Sequence, residues 1–269
     1  MIRLPELTEP IGFLFFCVLF FVIITGRYLV IAGLFYAIFY LWYPERWQKK
    51  KLSKRAYPPR QLKKELGWSM ITSLLFSVMA TLTLLLWQKG YTRVYTGLHA
   101  SDWYYMPLSL VLSLALQETY YYWLHRWMHL PAVFKRVHKV HHQSNLTSTF
   151  TAFSFHPLEG FLQALMLPLT LLLVPLHPVV ILVQLMIMSF SSVINHLNIE
   201  IYPRYFHHNR LGKWIVGATH HSLHHIQFRY NYGLYFTLWD KWKKTESPAY
   251  PELLNKTFAE DAPSPEKKN

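Results

Sequence analysis

The chain has a single cysteine, Cys17, so neither an internal disulfide nor a cysteine-based metal site can be built within it. Acidic residues are scarce too: 14 Asp and Glu stand against 27 Lys and Arg, a formal net charge of +13. That balance suits an anionic surface. Since no RNA- or DNA-binding signature accompanies it, the surface implied is a membrane and not nucleic acid. No H-E-x-x-H occurs, which removes the paired ligands and general base of a zinc peptidase. Glycines number only ten among 269 residues, whereas 52% of the residues are hydrophobic. The apolar residues come in long blocks separated by short basic ones, the layout of a multispanning membrane protein.

Residues 11–43 are apolar almost throughout, interrupted at Gly26-Arg27. One long tilted helix or two short ones fit this run. The single span is preferred, although it places Arg27 in the bilayer at a cost of roughly 3 kcal/mol. The segment opens with Arg3, Glu6 and Glu9 instead of a basic region, and is expected to remain as an anchor. Residues 44–65 then carry nine basic side chains, from Arg46 to Lys64, which assigns them to the cytoplasmic side. Residues 66–88 read as a second span. The loop 89–102 has only Lys89 and Arg93, as the opposite side requires. Residues 103–124 return through the membrane, and 157–175 with 178–195 form an apolar hairpin turning at Val174-Pro175-Leu176-His177-Pro178.

Fourteen of the fifteen histidines lie between His125 and His225. His125 and His129 are spaced H-x3-H; His138, His141 and His142 form H-x2-H-H; His221, His224 and His225 repeat it. Neutral imidazole suits iron, zinc, copper and nickel, and spacings of three and four place ligands on one helical face. Eight imidazoles exceed the needs of one ordinary centre, so two metals sharing eight or nine histidines are expected. His196, at the end of the hairpin, supplies the ninth. All the clusters follow apolar spans and converge on one membrane face.

Other polar residues surround this set. His220 extends the last motif and reads as a neighbour that donates to a ligand, or as an exposed bystander. Glu118 lies seven residues before His125 and could orient a ligand ring; Glu200, four residues after His196, reads as an alternative ligand or an acceptor. His156, before Pro157, either starts a helix or serves the metal. His207 and His208 read as interfacial, and His99 and His177 as ordinary loop histidines. A polynuclear histidine site beside a bilayer suggests oxidation of a lipid C–H bond by activated oxygen. The contrasting readings are a membrane metal carrier, which would string ligands along a midplane path, and a haem protein, which needs facing axial histidines within helices.

The three motifs at 125–129, 138–142 and 221–225 resemble the histidine signature of the sterol desaturase/fatty acid hydroxylase superfamily. Phe155-His156-Pro157-Leu158-Glu159-Gly160 and HHSLHHIQFRYNYGLYFTLWDKW at 220–242 look most like its sterol C5-desaturase branch. The resemblance covers roughly residues 65–245. It implies an all-α, multispanning membrane helical bundle with a cytoplasmic, histidine-rich di-metal cap, divided into an anchor with a basic segment (1–65), a catalytic domain (66–245) and a polar, flexible tail (246–269). It implies two iron ions held by the eight motif histidines and His196, with O2 and two external electrons consumed per turnover. The expected activity is sterol C5(6)-desaturation, with hydroxylation of a fatty-acyl, sterol or other lipid as the alternative. Some relatives fuse a cytochrome b5 domain with a His-Pro-Gly-Gly motif, where this chain has His156-Pro157-Leu158-Glu159. Electrons from NAD(P)H are therefore expected through a separate b5-type or ferredoxin-type carrier. The endoplasmic reticulum and a bacterial inner membrane both fit the layout.

Overall fold

The computed structural model describes residues 6–97 and 102–259. His99 lies outside them. Among the described residues the chain is all helical, with two isolated bridges, Lys51–Ile199 and Ile215–Phe236, and no strand.

Helix α1 (Pro10–Tyr36) continues through a π-helical turn (Ala37–Trp42), so residues 10–42 form one uninterrupted span. At about 1.5 Å per residue this is about 50 Å, long enough to tilt. Short α2 (Pro44–Gln48) leads to α3 (Pro59–Gln88), α4 (Asp102–Met128), α5 (Pro131–Val137) and α6 (Lys139–His142). The apolar hairpin is present, its first arm broken at Leu165 into α7 (Pro157–Ala164) and α8 (Met166–Leu173); its second arm is α9 (Pro178–Asn195). Then come α10 (Arg204–His208), α11 (Ala218–Gln227), α12 (Leu238–Lys243) and α13 (Tyr250–Ala259). Proline opens α1, α2, α3, α5, α7 and α9, where its missing N–H loses nothing and its fixed φ suits the first turn.

Three helices, spanning Pro10–Trp42, Pro59–Gln88 and Pro178–Asn195, are long and apolar enough to cross a membrane. Their outward side chains, such as Ile11, Val22, Val30, Leu74 and Leu182, are exposed and have only lipid to meet, which marks a membrane protein. Helix α4 is comparably long, but aromatic and polar residues from Gln117 to Tyr122 dilute its apolar character.

The inward face of α3 is built from Ser69, Thr72, Ser73, Ser77, Thr81 and Thr83. Small side chains let α1 approach closely, and several hydroxyls return a bond to their own helix, as Thr81 Oγ1 does to the Ser77 carbonyl at 2.9 Å. Tyr28 of α1 stacks on Phe153 at 4.8 Å and donates to the Phe150 carbonyl. Helix α4 packs on α8 and α9, and α11 on α9 and α13. The segment expected to be a loose tail instead carries α13, which buries Leu254 and Phe258, one helical turn apart. That pair is a narrow apolar stripe hidden in a polar composition.

Candidate metal centre

Nine histidine rings converge where the spans end. Their ligand-capable nitrogens fall into two groups, each within 4.8 Å: His125, His129, His138, His142 and His224 in one, and His141, His196, His221 and His225 in the other. All are buried except His129, which is half-buried. The expectation that each H-x2-H-H motif presents one common face is corrected here. His138 and His142, four apart, stay together, while His141 goes to the other group; His221 and His225 stay together, while His224 crosses over. A four-residue step keeps two rings on one side of a short helix, and the intervening ring points across to the second group.

The ring nitrogens show what the groups can hold. Nδ1 of His125, His224, His141 and His196 faces the carbonyls of Tyr232 (2.9 Å), Tyr230 (2.7 Å), Ser154 (3.3 Å) and Ser192 (2.7 Å). His138 Nδ1 lies 2.8 Å from Glu159 Oε1. A carbonyl only accepts, so each of these four Nδ1 atoms carries the proton and each Nε2 is a bare lone pair. Yet these nitrogens face other ring nitrogens, and in the His141–His196 pair both are bare. Nε2 of His141 is 3.2 Å from that of His196, which is 3.0 Å from that of His221; Nε2 of His224 is 3.1 Å from those of His129 and His142. Lone pairs at this distance repel unless a cation lies between them. Two nitrogens about 2.1 Å from one ion at a right angle sit about 3 Å apart, so the spacing fits a shared metal. Burial, reinforced by the neighbouring rings, holds His138, His142, His221, His224 and His225 well below the usual imidazole pKa, and burial with His196 and His125 does the same for His141. They are therefore neutral and ready to bind at pH 7. His142 Nδ1, His221 Nδ1 and both nitrogens of His225 have no hydrogen-bond partner among the described residues.

Carboxylates hold the frame around the rings. Glu118 accepts from the backbone N–H of Leu234, Tyr235 and Phe236. Glu200 joins neither group; it accepts from Thr219 N at 3.0 Å and Oγ1 at 2.7 Å, which caps the start of the helix bearing His221, His224 and His225. His220 is buried, with Nε2 3.9 Å from Asp240 Oδ2, and stands outside both groups. His156 caps α7 through Leu158 N and is likewise outside, as His177 caps α9 through Val179 N. His207 lies 3.6 Å from Glu200.

Sequence reasoning missed Asp240, which accepts from Tyr232 N and Gly233 N at 2.9 Å, and Glu65, buried among Tyr57, Gln61, Ser148 and Thr151. Neither has a histidine at turn spacing to flag it. Gly233 threads between two of these carboxylates: a Cβ there would lie 3.1 Å from Asp240 Oδ2 and 3.2 Å from Glu118 Oε1, and closer still to the Phe236 carbonyl. Gly233→Ala should lower stability by about 1–3 kcal/mol through overpacking, read as a lower Tm in detergent. An unchanged Tm would mean that the loop is free to shift.

An elongated cavity runs from the second histidine group between the spans, with about 1230 Å³ of unfilled space including its open mouth. His196, His221, Asn195 and Leu234 line one end, and its walls are largely apolar, with Phe76, Met79, Phe153, Phe155, Leu185 and Met188 among them.

A family model described as fatty acid hydroxylase matches residues 110–245, just over half of the chain and all nine grouped histidines. The chain belongs to the fatty acid hydroxylase family. Within curated proteins of related sequence, it is 34% identical to the lathosterol oxidase of Mus musculus over 184 residues, 67% of this chain and 60% of that protein. It is 33% identical to the Homo sapiens lathosterol oxidase over the same shares, and 33% identical to the Delta(7)-sterol 5(6)-desaturase of Eremothecium gossypii over 76% of this chain and 57% of that protein. The chain thus spans about 60% of the length of these first relatives. No solved structure matches it. The resemblance read from the histidine motifs and from residues 220–242 agrees with this family and these relatives.

Proposed function

We propose that this family member is a membrane-bound di-iron oxidoreductase that uses O2 to oxidise a lipid C–H bond, with C5(6)-desaturation of a sterol as its reaction. The observation that carries the reading is the pair of adjacent imidazole groups, whose buried ring nitrogens face each other at about 3 Å beside an apolar cavity. His125, His129, His138, His142 and His224 would hold one iron, and His141, His196, His221 and His225 the other. Bound iron would activate O2 and so supply the oxidising power that unactivated C–H bonds demand and protein side chains lack.

The chain's own residues position and protect that chemistry. Carbonyl and carboxylate partners on Nδ1 fix each ring's tautomer and direction, which tunes a metal's affinity without touching it. The apolar walls admit a flat or extended lipid and exclude water from the reacting end. Residues 66–245 would be the catalytic domain and 1–65 its anchor. The basic segment 44–65 supports a cytoplasmic histidine end, where a separate b5-type or ferredoxin-type carrier would deliver electrons from NAD(P)H. A metal carrier would string its ligands along the spans, whereas here they collect at one end.

Lipid extracts from cells with and without the protein test the reaction. A sterol lighter by two hydrogens, lost between C5 and C6, is the expected product. A lipid heavier by one oxygen would replace desaturation by hydroxylation, and identical extracts together with no conversion of supplied lipids would end the enzymatic reading.

A further inference from the structure

Arg27 is a cation in the middle of a membrane span, and its place at the cavity gives it a use. It lines the cavity with Gln117 and Gln184. Its Nε is buried without a partner, and the guanidinium meets no carboxylate among the described residues. Gln184 donates to Gln117 Oε1 at 2.9 Å, while the amide N–H groups of Gln117 donate to no described residue. These three polar side chains sit in a lining that is largely apolar but also includes Thr83, Gln163 and Ser192.

Their depth follows from the packing of α1 on α9. The C-terminal ends of the two helices meet where Tyr40 donates to the Leu197 carbonyl, so the helices run in the same direction. Further back, Phe35 contacts Phe190 with ring centroids 6.1 Å apart. Arg27 precedes Phe35 by eight residues and Gln184 precedes Phe190 by six, which are rises of about 12 and 9 Å towards the same end. Gln184 also stands twelve residues before His196, about 18 Å along α9. The polar station is therefore at the end of the cavity remote from the histidines.

Resting on the proposed function, the geometry points to Arg27, with Gln117 and Gln184, as a binding station for an oxygen on the substrate's remote end. The guanidinium and the Gln117 N–H groups donate, while Gln184 Oε1 is a buried acceptor without a partner among the described residues, so the matching group is an oxygen that accepts: a hydroxyl, which also donates to Gln184, or a carboxylate or carbonyl held by Arg27. A plain hydrocarbon tail would leave these donors desolvated and unpaired, so the station selects against it. The substrate class is then a lipid oxidised at one end and oxygenated at the other. An oxygen-bearing sterol tail and a fatty-acid carboxylate are two sources of the same chemistry.

The test uses the full-length, iron-loaded protein in detergent with three probes: a Δ7-sterol with a plain tail, the same sterol with a terminal carboxylate or hydroxyl, and a long-chain fatty acid. Binding is read by displacement of a photoreactive sterol, and turnover by KM and kcat separately. Wild-type protein should bind the tail-oxygenated sterol about tenfold or more tightly than the plain one, the scale of one charged hydrogen bond. Arg27→Leu should collapse that ratio towards one, through KM and not kcat, and Arg27→Lys should restore part of it. Tight fatty-acid binding that is lost in Arg27→Leu would assign the acceptor to an acyl carboxylate. Removing an arginine from a span favours insertion, so Arg27→Leu is expected to fold, and its metal content checks this. If both proteins convert sterols but ignore the tail oxygen, the station is overturned and the enzymatic reading survives. If neither protein binds or converts any of the lipids, both fall.

Discussion

His224→Ala should remove one iron of the pair and abolish lipid oxidation, and His141→Ala should do the same from the other side. His224 is the hub of the five-ring group: its Nε2 lies 3.1 Å from Nε2 of both His129 and His142, while its Nδ1 is held at 2.7 Å from the Tyr230 carbonyl. Removing that ring opens a coordination position and a hole together. Second-site partners of metal ligands typically change affinity by about 10–100-fold, and a ligand itself should cost more. His141 belongs to the four-ring group, with its Nε2 3.2 Å from that of His196. The expected outcome is half the wild-type iron in each variant, with turnover below about a thousandth of wild type. Metal analysis and product formation on the same preparations check both. Either variant keeping full metal and full rate would refute the two-group assignment. If the rings hold metal, the facing nitrogens repel once it is removed, so chelation should lower the wild-type Tm and His224→Ala should blunt that difference; rings with a purely structural role would leave the Tm unmoved by chelation.

That prediction depends on how the rings divide, which was only partly legible in the sequence. The number of histidines, their clustering and their position after apolar blocks pointed to two metals at one membrane face. The long helices were legible for the same reason, since blocks such as 66–88 have few ways to satisfy their backbone in lipid except as helices. The division was not legible, because spacings of three and four both read as one turn on an idealised helix. In α6 and α11 the two spacings send rings to different groups, and only the facing elements reveal this. The orienting partners were hidden more deeply. Tyr232, Tyr230, Ser154 and Ser192 act on the rings through main-chain carbonyls, and any residue type has one. Asp240 holds backbone N–H groups seven and eight residues back in an irregular loop that no periodicity predicts, and Glu65 reaches Ser148 and Thr151 more than eighty residues away. Arg27 was visible as an oddity, yet its cavity exists only once α1, α4 and α9 are packed.

Glu118→Ala should be the most destabilising single change away from the histidines. The carboxylate is 2% exposed and receives three consecutive backbone donors: Leu234 N at 3.2 Å, Tyr235 N at 2.7 Å and Phe236 N at 3.2 Å. Alanine leaves these N–H groups buried without an acceptor, at about 1–3 kcal/mol each, and adds a cavity, so a loss on the order of 4 kcal/mol or more follows. The consequence reaches the metal because the same loop supplies the Tyr232 carbonyl to His125 Nδ1 and the Leu234 carbonyl to Asn195 Nδ2. Released, the loop lets the His125 ring turn and loosens the residue beside His196. Iron affinity should therefore fall with Tm, and the first group should empty before the second. Glu118→Gln keeps the shape but turns an amide NH2 towards N–H donors, so it should fall between alanine and wild type. Thermal unfolding in detergent, with iron measured before and after mild chelation, separates the possibilities. A Glu118→Ala protein with wild-type Tm and wild-type iron retention would show that the loop holds its place through Asp240 and packing alone.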